Sequence, residues 1–120
     1  MKNIKFKAKA LNSGEWVEGD LLHRVTDTCI AVKDMDDIVY YPVDPDTVCQ
    51  FTGLKDFKGN EVWEGDIVEF DTYDIYKGQC TVKAIIEYIG SRFVALTDNL
   101  PYTLVSKGIE VIGNKFDKEK

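Results

Sequence analysis

The chain has 120 residues, of which 44% are hydrophobic and 30% are charged, and its formal net charge is −6. These values are typical of a globular protein with one domain or two small lobes, and they exclude a disordered chain. No apolar run approaches the roughly 20 residues of a membrane-spanning helix, and the first residues lack the apolar segment of a secretory signal. We therefore expect a cytoplasmic protein without membrane contact.

Alternation of apolar and polar residues dominates the chain and predicts an all-β fold. In residues 4–10 the apolar side chains share one face and three lysines share the other. Later strands are predicted from the same alternation or from short β-branched runs, at residues 16–17, 21–25, 29–32, 38–41, 47–51, 67–70, 80–88, 92–96 and 109–112. Many short strands at regular spacing indicate a small barrel or roll.

Three connections stand out between these strands. The acidic segment from Asp34 to Asp37 predicts an exposed hairpin tip, and residues 71–78 predict a polar loop that holds Tyr73 and Tyr76. Residues 99–108 are predicted to form a short helix or a turn, and this is the single helix that the pattern allows. Tyrosines on a loop of a rigid scaffold are typical contact residues, so Tyr73 and Tyr76 are candidates for an interface, with a plain solvent-exposed loop as the alternative.

A Glu-Gly-Asp sequence occurs twice, at residues 18–20 and 64–66, each time between an aromatic segment and an aliphatic run. Glycine permits a positive φ or a close backbone approach, and aspartate bonds to nearby amides. Both copies therefore predict a bend that starts a strand. The residues predicted to have this structural role are Gly19, Asp20, Gly53, Gly59, Gly65 and Asp66.

The central stretch resembles the YopX family of phage and prophage proteins. The resemblance lies in Gln50-Phe51-Thr52-Gly53-Leu54-Lys55-Asp56 and in Trp63-Glu64-Gly65-Asp66-Ile67, and it extends over essentially the whole chain. It implies a C-terminal SH3-like β-roll, a phage or prophage origin and a capacity for self-association. Together with the strand pattern, it predicts an N-terminal β-hairpin layer at residues 1–50, the roll at residues 51–116 and a tail at residues 117–120.

Residues that could carry catalysis do not form a recognised motif. His23 is the only histidine, and Cys29, Cys49 and Cys80 lack the spacing of a zinc site or a disulfide framework, so we expect reduced thiols and no metal or cofactor. The carboxylates of the two Glu-Gly-Asp segments could bind a metal, but aspartates in turns more often bond to their own backbone. No catalytic residues are assigned.

The function predicted from the sequence is that of a non-enzymatic phage accessory or adaptor protein. It would act through contacts with another protein or with a second copy. Two alternatives stay open: an SH3-like module associated with nucleic acid, and a small metal-dependent enzyme that uses Asp and Glu. The acidic charge argues against nucleic acid as a partner, because proteins that grip phosphates normally present a basic face.

Overall fold

The computed structural model describes residues 4–97, 101–103 and 108–117. Its strands are β1 (Phe6–Lys9), β2 (Trp16–His23), β3 (Thr28–Asp34), β4 (Asp37–Pro42), β5 (Cys49–Lys55), β6 (Glu61–Trp63), β7 (Asp66–Asp74), β8 (Gly78–Ile89), β9 (Arg92–Leu96), β10 (Pro101–Thr103) and β11 (Glu110–Asn114). Within the described residues the only helical segment is a 3₁₀ turn at Pro45–Thr47. The predicted all-β class is confirmed. No helix in this part of the chain has the length and apolar character needed to cross a bilayer.

The chain divides into two compact units, residues 1–51 and residues 52–120. The division falls inside β5, one residue after the boundary predicted from the sequence. Each unit has its own buried apolar cluster. The predicted tail begins at Asp117, and its last three residues, 118–120, lie outside the described residues.

The first unit is an antiparallel sheet with the strand order β4-β3-β2-β1-β5. Strand β1 alternates as its sequence predicts: Ala8 is fully buried while Lys7 and Lys9 lie on the opposite face, over the ring of Trp16 at 4.6 and 5.3 Å. The core of this unit is formed by Ala8, Ile30 and Val43, with Phe6, Val17, Leu21, Val32, Tyr41 and Val48 packed around them.

After β4 the chain of the first unit returns to the end of β1. Ala10 and Val43 form an isolated antiparallel bridge, and the Leu11 N–H donates to the Pro42 carbonyl at 2.9 Å. The Thr47 hydroxyl accepts from the Lys9 N–H at 2.9 Å. The bond from Leu11 satisfies the outward carbonyl at the C-terminal end of β4, so among the described residues the part of β4 nearer the hairpin tip is left as a sheet edge.

The second unit is built on a five-stranded antiparallel sheet in the order β10-β9-β8-β7-β11. Strands β7 and β8 are long and pair from Ile67 with Ile85 to Asp74 with Gly78. The core consists of Val62, Val68, Ala84, Ile86, Ala95 and Ile109, with Phe70, Phe93 and Val111 against it. The SH3-like arrangement of this unit stays a prediction.

Two predicted connections differ from the structure. The chain does not bend between residues 17 and 21, because β2 is one continuous strand of eight residues that pairs with β1 on one side and β3 on the other. The short helix or turn expected at residues 99–108 is wrong in its middle, where Pro101–Thr103 pair with β9 as β10. The flanking residues 99–100 and 104–107 lie outside the described residues.

Candidate functional site

The second Glu-Gly-Asp segment lies at the corner between β6 and β7. Gly65 has a φ of 88°, a left-handed value that costs a residue with a Cβ atom. Its N–H donates to the Ile86 carbonyl at 2.7 Å, and its own carbonyl accepts from the Lys115 N–H at 2.9 Å. This corner is therefore bonded to two other parts of its unit through the backbone alone.

Asp66 completes the same corner with its side chain. It is 3% exposed, and one carboxylate oxygen accepts from the Trp63 N–H at 2.8 Å. The other oxygen accepts from the side-chain amide of Asn114 at 2.9 Å, and the Asn114 oxygen accepts from the Phe116 N–H. Both oxygens of Asp66 thus bond to groups of the protein, which joins the start of β7 to the turn after β6 and to the end of β11.

The first Glu-Gly-Asp segment has a different structure, which corrects the predicted turn at Gly19 and Asp20. Gly19 lies in the middle of β2 opposite Phe6, and its φ is not positive. A Cβ atom at Gly19 would overlap the carbonyl oxygen of Ala31 on β3. Glycine is required here for close approach of two strands, while Asp20 is an exposed strand residue opposite Ala31.

Gly53 also departs from the prediction, since it lies inside β5 and not in a turn. Its φ is 89°, and the neighbouring Thr52 hydroxyl donates to the Val62 carbonyl at 2.7 Å while accepting from the Leu54 N–H at 3.1 Å. The side chain of Thr52 thus bonds to the backbone beside the unusual glycine conformation. The strand continues past Gly53 with a local irregularity.

Asp56, which was not among the residues predicted to have a structural role, organises the turn that contains Gly59. Its carboxylate accepts from the N–H groups of Lys58, Asn60 and Val111 at 3.0, 2.8 and 2.9 Å, and from the Asn60 amide at 3.3 Å. Burial alone would raise the pKa of Asp56, but these donors stabilise the carboxylate and the pKa is lowered. The available signal was an Asp shortly before a Gly-Asn pair, an arrangement typical of a side-chain-bonded turn.

The residues predicted as an interface lie at the end of the β7–β8 hairpin. The polar loop expected at residues 71–78 is shorter than predicted, because β7 runs to Asp74 and Tyr73 pairs with Gln79. Tyr73, Ile75 and Tyr76 are 73%, 79% and 90% exposed. We call these three side chains the hairpin cluster. Ile75 was missed from the sequence, although an isoleucine inside a polar segment was the signal for it.

A shallow acidic groove lies beside this hairpin within the second unit. It has a volume of about 340 Å³ and is lined by Phe57, Glu69, Phe70, Asp71, Gly108 and Glu110. A second hollow of about 360 Å³ continues along Asp71, Thr72, Tyr73 and Gln79. Asp71 belongs to both hollows, and its carboxylate accepts from the Thr81 hydroxyl at 2.8 Å and from the Gln79 amide at 3.3 Å.

Basic groups partly balance the carboxylates of this groove. Lys58 forms a 2.8 Å ion pair with Glu110, and Lys83 lies opposite Glu69 in the β7–β8 register. The three carboxylates of the groove therefore keep a negative surface of modest strength. Together with Phe57, which is 62% exposed, they form a surface that combines acidic and aromatic groups.

The remaining candidates for chemistry are in the first unit. His23 is exposed at the end of β2, and Arg24 binds the Asp27 carboxylate through two nitrogens at 2.7 and 2.8 Å. Burial and a hydrogen bond to Asp27 raise the pKa of the Cys29 thiol, which disfavours the nucleophilic thiolate. Within residues 4–97, 101–103 and 108–117, no three His, Cys, Asp or Glu side chains are grouped as metal ligands.

Comparisons with known proteins identify a family and a related fold. The family model described as YopX protein matches residues 5–119. The crystal structure of protein EF1440 from Enterococcus faecalis superposes with a TM-score of 0.56 at 22% sequence identity, over 95% of this chain and 94% of that one. At this identity the likeness shows the fold alone. No curated protein matches the chain.

Proposed function

We propose that this chain, which belongs to the YopX family, is a non-enzymatic binding module that contacts a protein partner through the β7–β8 hairpin. The hairpin cluster is the observation that carries the proposal. Tyr73, Ile75 and Tyr76 place two aromatic rings and one branched aliphatic side chain in solvent at one place. Such clusters mark interaction sites more often than isolated exposed apolar residues do.

The scaffold beneath the cluster favours binding. Eight residue pairs join β7 to β8, so the tip lies at the end of a long hairpin. Further strands pair with both sides of this hairpin, β9 with β8 and β11 with β7. Residues held on a rigid element lose little further conformational freedom on association. Tyrosine is also enriched among the residues that dominate interface energies, because its ring buries a large area and its hydroxyl bonds at the rim.

The charges around the hairpin define the chemistry of the partner. Glu69, Asp71 and Glu110 form an acidic border beside the cluster, and the net charge of the chain is −6. We therefore expect an apolar pocket or groove on the partner with Lys or Arg at its edge. Charge complementarity of this kind raises the association rate more than the affinity and is weakened by salt.

The buried carboxylates support a binding function over a catalytic one. Asp56 and Asp66 are 5% and 3% exposed, and all their carboxylate oxygens accept hydrogen bonds from the protein. A general acid or a metal ligand needs an oxygen that is directed at its substrate or its ion. We accordingly assign both aspartates to the fold. We place the binding module in the cytoplasm of a bacterial host, as a phage or prophage accessory protein, because of the family resemblance.

Affinity capture from phage-infected or prophage-induced bacterial cells tests the proposal. The double variant Tyr73→Ala/Tyr76→Ala is compared with the wild type and with Val25→Ala, a control that removes a fully exposed apolar side chain on the other unit. We expect one protein to be captured by the wild type and the control and lost by the double variant, with all three melting at similar temperatures.

Capture that is equal for all three proteins would contradict the assignment of the hairpin. The nucleic-acid alternative is tested by titrating random single-stranded and double-stranded DNA and RNA at low salt. Binding that weakens steeply with salt would favour that alternative, because release of counterions from phosphates has this signature. Binding of Mg²⁺ or Mn²⁺ that Asp66→Asn abolishes without lowering the melting temperature would favour the enzyme alternative.

A further inference from the structure

Strand β4 is a sheet edge in the first unit, and its backbone directions can be assigned from its pairing with β3. The Val43 N–H donates to the Thr28 carbonyl, and β4 pairs with β3 from Cys29–Pro42 to Asp34–Asp37. Backbone groups alternate in direction along a strand, so the odd-numbered residues of β4 bond to β3. Ile38, Tyr40 and Pro42 then direct their backbone groups away from the sheet.

The outward groups of β4 are not equivalent. The Pro42 carbonyl accepts from the Leu11 N–H, and Pro42 has no N–H of its own. Ile38 and Tyr40 direct their outward N–H and C=O groups to the edge of the sheet, beside which no strand lies among residues 4–97, 101–103 and 108–117. Their side chains are 56% and 48% exposed. They lie on the face of the sheet opposite the half-buried Val39 and Tyr41, of which Tyr41 packs against the core.

We propose that this edge binds the same edge of a second copy, so that two β4 strands pair antiparallel about a two-fold axis through Val39. This register places Ile38 opposite Tyr40 of the second copy, and Tyr40 opposite its Ile38. Both pairs join residues with outward backbone groups, which yields four backbone hydrogen bonds. It also keeps the exposed side chains of both copies on one face, as continuity of the pleat requires.

The charges along β4 favour the antiparallel arrangement. Asp34, Asp36 and Asp37 are exposed at the hairpin tip, where Lys33 is the basic neighbour. At the other end the Arg24 guanidinium lies 5.9 Å from the ring of Tyr40. The two-fold axis brings the acidic tip of each copy to the Arg24 end of the other. A parallel arrangement would bring the acidic tips together, which is unfavourable.

We attribute the orientation of the two copies to the charge pattern and their affinity to the backbone hydrogen bonds. Arg24 already binds Asp27, so its attraction for a second copy is partly offset within its own turn. The pairing is isologous, because each copy offers the same residues, and it closes at two copies because it uses the β4 edge of both. The dimer therefore also protects an edge that could otherwise take up unrelated strands.

The dimer is tested by native mass measurement and sedimentation of the purified chain over a range of concentrations. We expect the mass to rise from one chain to two for the wild type. Ile38→Lys should remain a single chain under the same conditions, because the variant places an added charge in both central pairs. The matched control Ile4→Lys makes the same substitution at an isoleucine that is 60% exposed just before β1, three strands away from β4 in the sheet, and it should dimerise as the wild type does.

Amide hydrogen exchange supplies a readout that needs no variant. The amides of Ile38 and Tyr40 should exchange fast in dilute protein and become at least tenfold slower at concentrations where the mass doubles. The amides of Val39 and Tyr41, which bond to β3, should be protected at both concentrations. If Ile38→Lys fails to fold, as judged by circular dichroism, this contrast between odd and even residues decides the proposal.

Three results would overturn the β4 dimer. The first is a wild type that stays a single chain up to millimolar concentration. The second is dimerisation that is unchanged in folded Ile38→Lys or that leaves the Ile38 and Tyr40 amides unprotected. The third is self-association that Tyr73→Ala/Tyr76→Ala removes, which would place it at the hairpin cluster. Retention of the dimer by that double variant would separate this edge from the surface proposed for the protein partner.

Discussion

The two Glu-Gly-Asp segments have the same sequence and different structures. At residues 64–66 the glycine adopts a positive φ of 88°, and the aspartate is buried and bonded to Trp63 and Asn114. At residues 18–20 the glycine is extended within β2, and the aspartate is exposed. A tripeptide of this composition therefore specifies neither a turn nor a strand by itself.

The physical reason for the difference lies in what surrounds each copy. Strand β2 has hydrogen-bonded neighbours on both sides, β1 and β3, and the two ladders hold residues 16–23 extended. At Gly65 the chain passes from β6, a strand of three residues, into β7, and the backbone bonds to Ile86 and Lys115. Tertiary pairing thus outweighs the local tendency of Gly-Asp to form a bend.

The sharpest test of this contrast replaces each aspartate by alanine. Asp66→Ala leaves the buried Trp63 N–H and the Asn114 amide without their acceptors, and each such loss costs about 1–3 kcal/mol. We expect the free energy of unfolding to fall by roughly 3–5 kcal/mol, with Asp20→Ala changing it by less than about 0.5 kcal/mol. Urea denaturation of both variants measures the two values. Equal effects would mean that the two segments have equivalent roles.

Gly19 and Gly65 should differ in how they tolerate substitution, because glycine is required for a different reason at each site. At Gly19 any Cβ atom meets the Ala31 carbonyl oxygen, so Gly19→Ala should cost about 3 kcal/mol because β2 and β3 must move apart. At Gly65 the cost comes from the positive φ, and Gly65→Ala should cost about 1–2 kcal/mol. Denaturation midpoints of these two variants give the comparison.

Asparagine provides the matched control for the glycine comparison. Asn reaches the left-handed region more easily than Ala, so Gly65→Asn should be more stable than Gly65→Ala. At Gly19 the larger side chain brings no such benefit, and Gly19→Asn should be at least as unstable as Gly19→Ala. The same order of stability at both sites would show that backbone angle and strand spacing are not the distinguishing causes.

Much of the fold could be predicted from local sequence, and the remainder depends on pairing. Alternation in residues 4–10 predicts the buried Ala8 and the lysine face correctly, and the acidic tip at Met35-Asp36 is a hairpin turn as expected. The end of β7 was placed too early, because Asp71 and Thr72 are polar and their extended conformation is imposed by pairing with Thr81 and Cys80.

In the candidate site, too, the features that depend on local sequence could be predicted and those that depend on long-range contacts could not. Tyr73 and Tyr76 could be selected from the sequence as exposed aromatic residues, and both are exposed. The role of Asp56 could not be fully predicted from the sequence, because one of its hydrogen-bond donors, the Val111 N–H, lies 55 residues away along the chain. Long-range hydrogen bonds of this kind leave no local pattern in the sequence.

The smallest expected effect concerns pH and a third acidic turn residue, Asp56. Its pKa is lowered in the folded protein, because the N–H donors of Val111, Asn60 and Lys58 outweigh the effect of burial. A carboxyl group with a lowered folded pKa stabilises the fold fully above its unfolded pKa of about 3.9, and this contribution is lost as pH falls through the folded pKa. Acid should therefore remove part of the stability that Asp56 supplies at neutral pH.

The comparison of wild type with Asp56→Asn isolates this contribution, because the other titrating groups are common to both proteins. Asparagine keeps an oxygen acceptor but carries no charge, so the variant should be less stable at pH 7. The difference in free energy of unfolding should narrow between about pH 5 and pH 2. Asp36→Asn, at the exposed hairpin tip, is the control and should leave the free energy of unfolding nearly unchanged. A gap for Asp56→Asn that stays constant down to pH 2 would contradict the lowered pKa and would attribute the loss to altered hydrogen-bond geometry.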